Sequence, residues 1–200
     1  MMILRATRSV LLLAAGFFAA RAGAVQVDVS FPYAFHGWNT VGTSVAIGHS
    51  FLGNDFLGLE WTRFNPKPLV NYAGYGPVRV DEQIEAIQLA YRYSLPLLHL
   101  GVAGEKIPLG IYIGAGAGVG RVRQSIADSS ATQSAFGSQL SATNTELTGE
   151  LLAGVQVGLG RNFGVRVGYR YVDTFNNVEQ FGRGVNTDTK TLELGAFARF

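Results

Sequence analysis

Eight stretches of this chain alternate apolar and polar residues with a period of two. At that spacing, successive side chains of a β-strand point to opposite faces. In the last ten residues, TLELGAFARF, Leu192, Leu194, Ala196, Ala198 and Phe200 share one face. Thr191, Glu193, Gly195, Phe197 and Arg199 share the other. Over 163–172 the pattern is cleanest: Phe163, Val165, Val167, Tyr169 and Tyr171 oppose Gly164, Arg166, Gly168 and Arg170. The same reading places strands over 25–35, 40–52, 56–65, 84–95, 108–123 and 145–159. GND at 53–55 and GRN at 160–162 predict tight turns. Residues 66–80, 124–144 and 173–187 predict longer loops, and HGWN at 36–39 a short one. Residues 96–107, containing LLHLGVA, fit either a turn or an extension of strand.

Strands with one apolar and one charged face suit two architectures. A soluble lipocalin-like barrel turns the apolar face inward. A transmembrane barrel turns it toward lipid and keeps the charges in the lumen. On 163–172 the apolar face has aromatics at both ends and valines between. Phe163 to Tyr171 spans ~26 Å at ~3.3 Å per residue, or ~19 Å of depth at a ~45° tilt, somewhat short of the ~25 Å apolar band of a membrane barrel. The connections also alternate broadly between short and long, and an even strand count returns both termini to one side. The expected fold is therefore all-β, an eight-stranded antiparallel up-and-down transmembrane β-barrel over 25–200.

The N-terminus has the order of a secretory signal: Arg5 and Arg8, an apolar run from Val10 to Ala20, then the small residues Ala22, Gly23 and Ala24. The run is shorter than the ~20 residues of a membrane-spanning helix, so residues 1–24 are expected to be removed. Three of the 16 basic residues (Arg5, Arg8, Arg21) go with the segment and no acid does, leaving 13 against 14. The pI of 9.0 thus belongs to the precursor, and no nucleic-acid partner is expected. The absence of cysteine excludes disulfide staples and thiolate metal sites. No cofactor is expected.

IYIGAGAGVG at 111–120, GVRVGYRYVD at 164–173 and the terminal ELGAFARF resemble the small outer-membrane β-barrel superfamily, which includes the transmembrane domain of outer-membrane protein A. Gly195, Ala198 and Phe200 resemble the C-terminal signal that the barrel-assembly machinery reads during insertion. The resemblance covers 25–200 and implies a porin-family barrel in the outer membrane of a Gram-negative bacterium. It implies outer-membrane lipid and lipopolysaccharide as surroundings, a monomer, and a structural or surface-interaction role. The alternatives are a narrow ion or small-solute channel and a lipid A-modifying enzyme. The periplasmic peptidoglycan-binding domain of outer-membrane protein A is not expected.

The candidate chemistry follows from the inward faces. Glu60, Arg92, Glu146, Glu150, Arg166, Arg170, Glu193 and Arg199 form an expected lumen charge network, with Arg166 and Arg170 paired to Glu150 and Glu193. Charges in a narrow barrel are tolerable only when paired. The glycines of IGAGAGVG lie on one uninterrupted strand, where a phosphate loop needs a turn and a helix. Their expected role is to make room for large side chains such as Tyr112, Arg166 or Phe197. Arg63, Arg121 and Arg123 lie beyond the apolar part of the outward faces and suit lipopolysaccharide phosphate. A serine-type deacylase needs a histidine, and only His36, beside Trp38 at the outer rim, is a candidate.

Overall fold

A computed structural model describes residues 24–35, 40–67, 69–72, 76–102, 105–126, 141–160, 162–174, 178–180, 183–185 and 189–200. The expected signal segment before Ala24, and His36 and Trp38, lie outside the described residues.

Eight strands form the wall: β1 (Ala24–Phe35), β2 (Thr43–Ser50), β3 (Asp55–Phe64), β4 (Gly76–Val102), β5 (Glu105–Ile126), β6 (Ser141–Leu159), β7 (Phe163–Thr174) and β8 (Thr189–Arg199). Each pairs antiparallel with the next, and β8 pairs with β1 to close the ring. Phe200 completes the seam: its backbone N–H donates to Val25 O (2.9 Å), and its carbonyl accepts from Val25 N (3.1 Å). Over the belt where all eight strands pair, closure leaves no open sheet edge among the described residues, which matters wherever water cannot satisfy the backbone.

Register partners followed once around from Val25 run through His49, Leu57, Tyr91, Ala115, Leu151, Tyr171 and Lys190 to Phe35, ten residues further along β1. That stagger over eight strands, at ~3.3 Å per residue and ~4.7 Å between strands, tilts them by roughly 41°.

Both predicted tight turns are present. Gly53 (φ 83°) and Gly160 (φ 79°) take the left-handed backbone that only glycine adopts freely. Asp55 fixes the first turn by accepting from the N–H groups of Phe51 (2.9 Å) and Leu52 (2.7 Å).

Residues 96–102 and 105–107 are strand, so this stretch extends β4 and β5. β4 and β5 stay paired down to Val102 and Glu105, through a register shift between Pro96 and Leu98. The extra residue of that bulge moves the alternation by one place, so the pattern looked irregular there. All three expected longer loops also contain pairing: Leu69–Tyr72 folds onto the first residues of β4, Gln124 and Ser125 pair with Ala142 and Ser141, and Val178–Gln180 pairs with Arg183–Val185.

The faces fall as the alternation predicts. Phe31, Leu89, Ile113, Leu151, Val167 and Leu194 point outward and are exposed, while Asp28, Glu60, Arg92, Arg166, Arg170 and Glu193 point inward and are buried. The interior is layered. Phe56, Tyr112 and Phe197 lie toward the turn end, the charges in the middle, and Ala34, Phe64, Ile84 and Val122 pack together toward the loop end. β3 contributes to all three layers from a single face, through Phe56, Glu60 and Phe64.

Candidate functional site: the buried charge ring

Arg170 on β7 is fully buried and reaches three carboxylates. Its Nη2 lies 2.5 Å from Glu193 Oε2, its Nη1 lies 3.2 Å from Glu150 Oε2, and Nη1 also pairs with Glu60. Glu60 on β3 pairs in turn with Arg92 on β4, and Arg92 with Asp28 on β1. Asp28 Oδ2 accepts from Arg166 Nη1 (2.7 Å), whose Nε donates to Glu193 Oε1 (3.0 Å). Arg170, Glu60, Arg92, Asp28, Arg166 and Glu193 therefore alternate in sign around a closed circuit. Several links cross the interior between strands that are not neighbours, β3 to β7 and β1 to β4 among them.

Three arginines balance three carboxylates within the circuit. Glu150 hangs from it as a fourth acid, joined through Arg170 alone, and its Oε1 has no hydrogen-bond partner among the described residues. Neutral groups brace the ring. Ser44 Oγ donates to Glu60 Oε1 at 2.5 Å, and Arg170 Nη1 donates to Thr62 Oγ1 at 3.2 Å. Below the ring, the Arg92 guanidinium stands 4.9 Å over the Phe56 ring and that of Arg166 5.9 Å over Tyr112. These aromatic faces attract the cations and shield them from the turn end.

Of the eight expected network members, the structure brings together Glu60, Arg92, Glu150, Arg166, Arg170 and Glu193. Two stand apart. Glu146 accepts from Asn144 (3.3 Å) near the loop end, and Arg199 donates to Gln26 (2.8 Å) at the turn end. Arg166 meets Glu193, one of its two expected partners, while its second partner is Asp28 rather than Glu150. Asp28 is the member that sequence reasoning left out. It stands on the inward face of β1 between Gln26 and Ser30, and that alternation was the signal that could have found it.

The glycines of β5 make room, though for other side chains than expected. A Cβ on Gly116 would meet Glu150 Oε1 at 2.7 Å, and one on Gly114 would meet Arg92 Cγ at 2.9 Å. Gly195 faces inward against Ser30, while Ala198 lies on the outward side of β8 and Phe200, just past its end, is exposed.

Arg63, Arg121 and Arg123 all lie on the outer wall near the loop end. Arg63 Nη1 is 3.6 Å from Glu85 Oε1, and Glu85 stands in register between Arg63 and Arg121. Among the remaining histidines, His49 is buried with its ring 5.0 Å from that of Phe51, and His99 is exposed in the β4–β5 hairpin opposite Pro108.

Because Glu150 is the surplus acid, Glu150→Gln is expected to change the urea midpoint of the folded barrel little or to raise it. A loss comparable to that of a ring member would contradict the pendant position. Buried carboxylates without a full set of partners carry a desolvation cost that outweighs one shared pair.

The outer membrane protein beta-barrel domain model matches residues 9–200. No curated protein matches the sequence. The fold is similar to that of Neisserial surface protein A, at 18% identity over 88% of this chain and 94% of that one (TM-score 0.56). It is also similar to the N-terminal barrel domain of Pseudomonas aeruginosa OprF, at 13% identity over 89% and 98% (TM-score 0.52). Ail, the attachment invasion locus protein of Yersinia pestis, aligns at 15% identity over 90% and 100% (TM-score 0.51). At these identities the likeness is one of fold.

Proposed function

This chain belongs to the outer membrane protein beta-barrel domain family, and from that premise we propose that it is a structural or surface-interaction barrel of the bacterial outer membrane with a largely filled lumen. The observation that carries the reading is the closed circuit of six alternating charges set between an aromatic and an apolar layer. An eight-stranded barrel has an interior just wide enough for side chains to fill. Each guanidinium of the circuit serves at least two carboxylates, so a permeating ion has to displace a bound partner rather than slip past it. The reading carries no catalytic step. It includes removal of residues 1–24 on export and insertion as a monomer through the assembly machinery.

Recording in planar bilayers tests it. The purified mature barrel is expected to show no stable conductance of nanosiemens size, and such conductance would overturn the filled-lumen reading. A narrow ion channel is the second reading, favoured by the unpaired Glu150 Oε1 beside Arg170, which offers a partner for exchange. Small, flickering conductance that Glu150→Gln abolishes would support it.

A further inference from the structure

We propose that the outer wall of β4–β7 binds one lipid carrying an anionic phosphate headgroup, with its acyl chain in a tyrosine-walled groove and its phosphate on Arg121 and Arg123. This rests on the outer-membrane reading above and names a ligand for its surface.

The groove encloses about 620 Å³ on the outward face. Its floor is made low by Ala115 on β5 and Ala153 on β6, and its walls are made high by Tyr91 on β4 and by Tyr169 and Tyr171 on β7. Ala115 pairs with Leu151 and Ile113 with Ala153, so the two alanines are diagonal neighbours across the β5–β6 seam, each set opposite a larger side chain. Bulky neighbours around small side chains leave a channel that a linear hydrocarbon fills better than disordered solvent chains, because its dispersion contacts are then made on three sides.

The outward face of β5 continues from this floor as Ala117, Val119, Arg121 and Arg123. Arg121 and Arg123 are exposed, and the strand carries both on the groove's own face. The row through Arg121 holds Arg63, Glu85 and Thr145, and the next row outward holds Gln83, Arg123 and Thr143. Further out, Asp81 is paired with Lys67 (3.4 Å). Three arginines against Glu85 leave the patch positive, and a guanidinium suits bidentate phosphate contact.

The dimensions agree with a lipid. Six residue steps from Arg121 to Ala115 cover ~20 Å of strand, which at the ~41° tilt is ~15 Å of depth. Half of the ~30 Å hydrocarbon core is also ~15 Å. A headgroup held at Arg121 therefore sets the end of its acyl chain at the groove floor.

Native mass spectrometry of the detergent-solubilised barrel tests this with dimyristoylphosphatidylglycerol and dimyristoylphosphatidylcholine as probes. Wild type is expected to retain one phosphatidylglycerol roughly tenfold better than phosphatidylcholine, and Arg121→Gln with Arg123→Gln to remove that preference. Ala115→Phe with Ala153→Phe, which fills the groove, is expected to weaken retention of both lipids. Heat-modifiable migration confirms that each variant is folded, and all four positions face outward. Equal retention of the two probes by wild type, unchanged retention in either double variant, or a protein dimer that the Phe pair dissolves would overturn the proposal. Bilayer conductance reports on the filled lumen separately, so the two readings fail independently.

Discussion

Arg170→Ala is expected to cost the barrel about 3–5 kcal/mol, the range for removing one partner of a buried ion pair. The substitution takes the cation from Glu60, Glu150 and Glu193 together, leaving three carboxylates around one vacated position. Their mutual repulsion acts in an interior where water is scarce, so each remains poorly screened. Urea unfolding of the barrel in lipid vesicles, followed by the loss of the heat-modifiable folded band, measures the effect. Adding Glu193→Gln is expected to recover part of the loss, because one of the stranded charges is then removed. Strictly additive losses would show that the two residues do not share a network. Arg199→Ala is the control, since its side chain meets the amide of Gln26 instead of a carboxylate.

Gly118→Val is expected to be the next most damaging substitution, at about 1–3 kcal/mol or more, the range for overpacking a closed interior. A Cβ at this position meets backbone: the Ile87 carbonyl, and Gln88 Cα at 2.6 Å. Backbone held in a ladder cannot rotate away, so β4 and β5 must separate and lose hydrogen bonds to admit the branched side chain. Gly116→Ala, two residues earlier, is the informative contrast. Its Cβ meets only side-chain atoms of Glu150, Oε1 at 2.7 Å and Cγ at 2.8 Å, and a side chain can shift where a paired backbone cannot. The same urea assay is expected to show a clear drop for Gly118→Val and a minor one for Gly116→Ala. Equal effects would contradict the steric reading.

Much of the architecture was legible in the sequence because strand alternation is a local property. Phe163 to Tyr171 oppose Gly164 to Arg170 whatever their neighbours are, and a barrel wall requires nothing more of each strand. The turns at Gly53 and Gly160 were legible for the same reason, since the chain reverses there on a backbone that glycine supplies. Where local pattern broke down, so did the reading. The bulge between Pro96 and Leu98 shifts the period by one residue, and only pairing with β5 carries the strand on to Val102.

The sequence by itself determined that Asp28, Glu60, Arg92, Glu150, Arg166, Arg170 and Glu193 share the inward side of their strands. Which of them meet was decided only in three dimensions. The stagger of ten residues raises each strand against the next, so distance along the chain gives no measure of depth in the barrel. It brings Asp28, near the start of β1, level with Arg92 and Arg166, and leaves Arg199 at the turn end and Glu146 at the loop end. Alternation sets the face of a side chain, while the tilt imposed by closure sets its height, and an ion pair across the interior needs both.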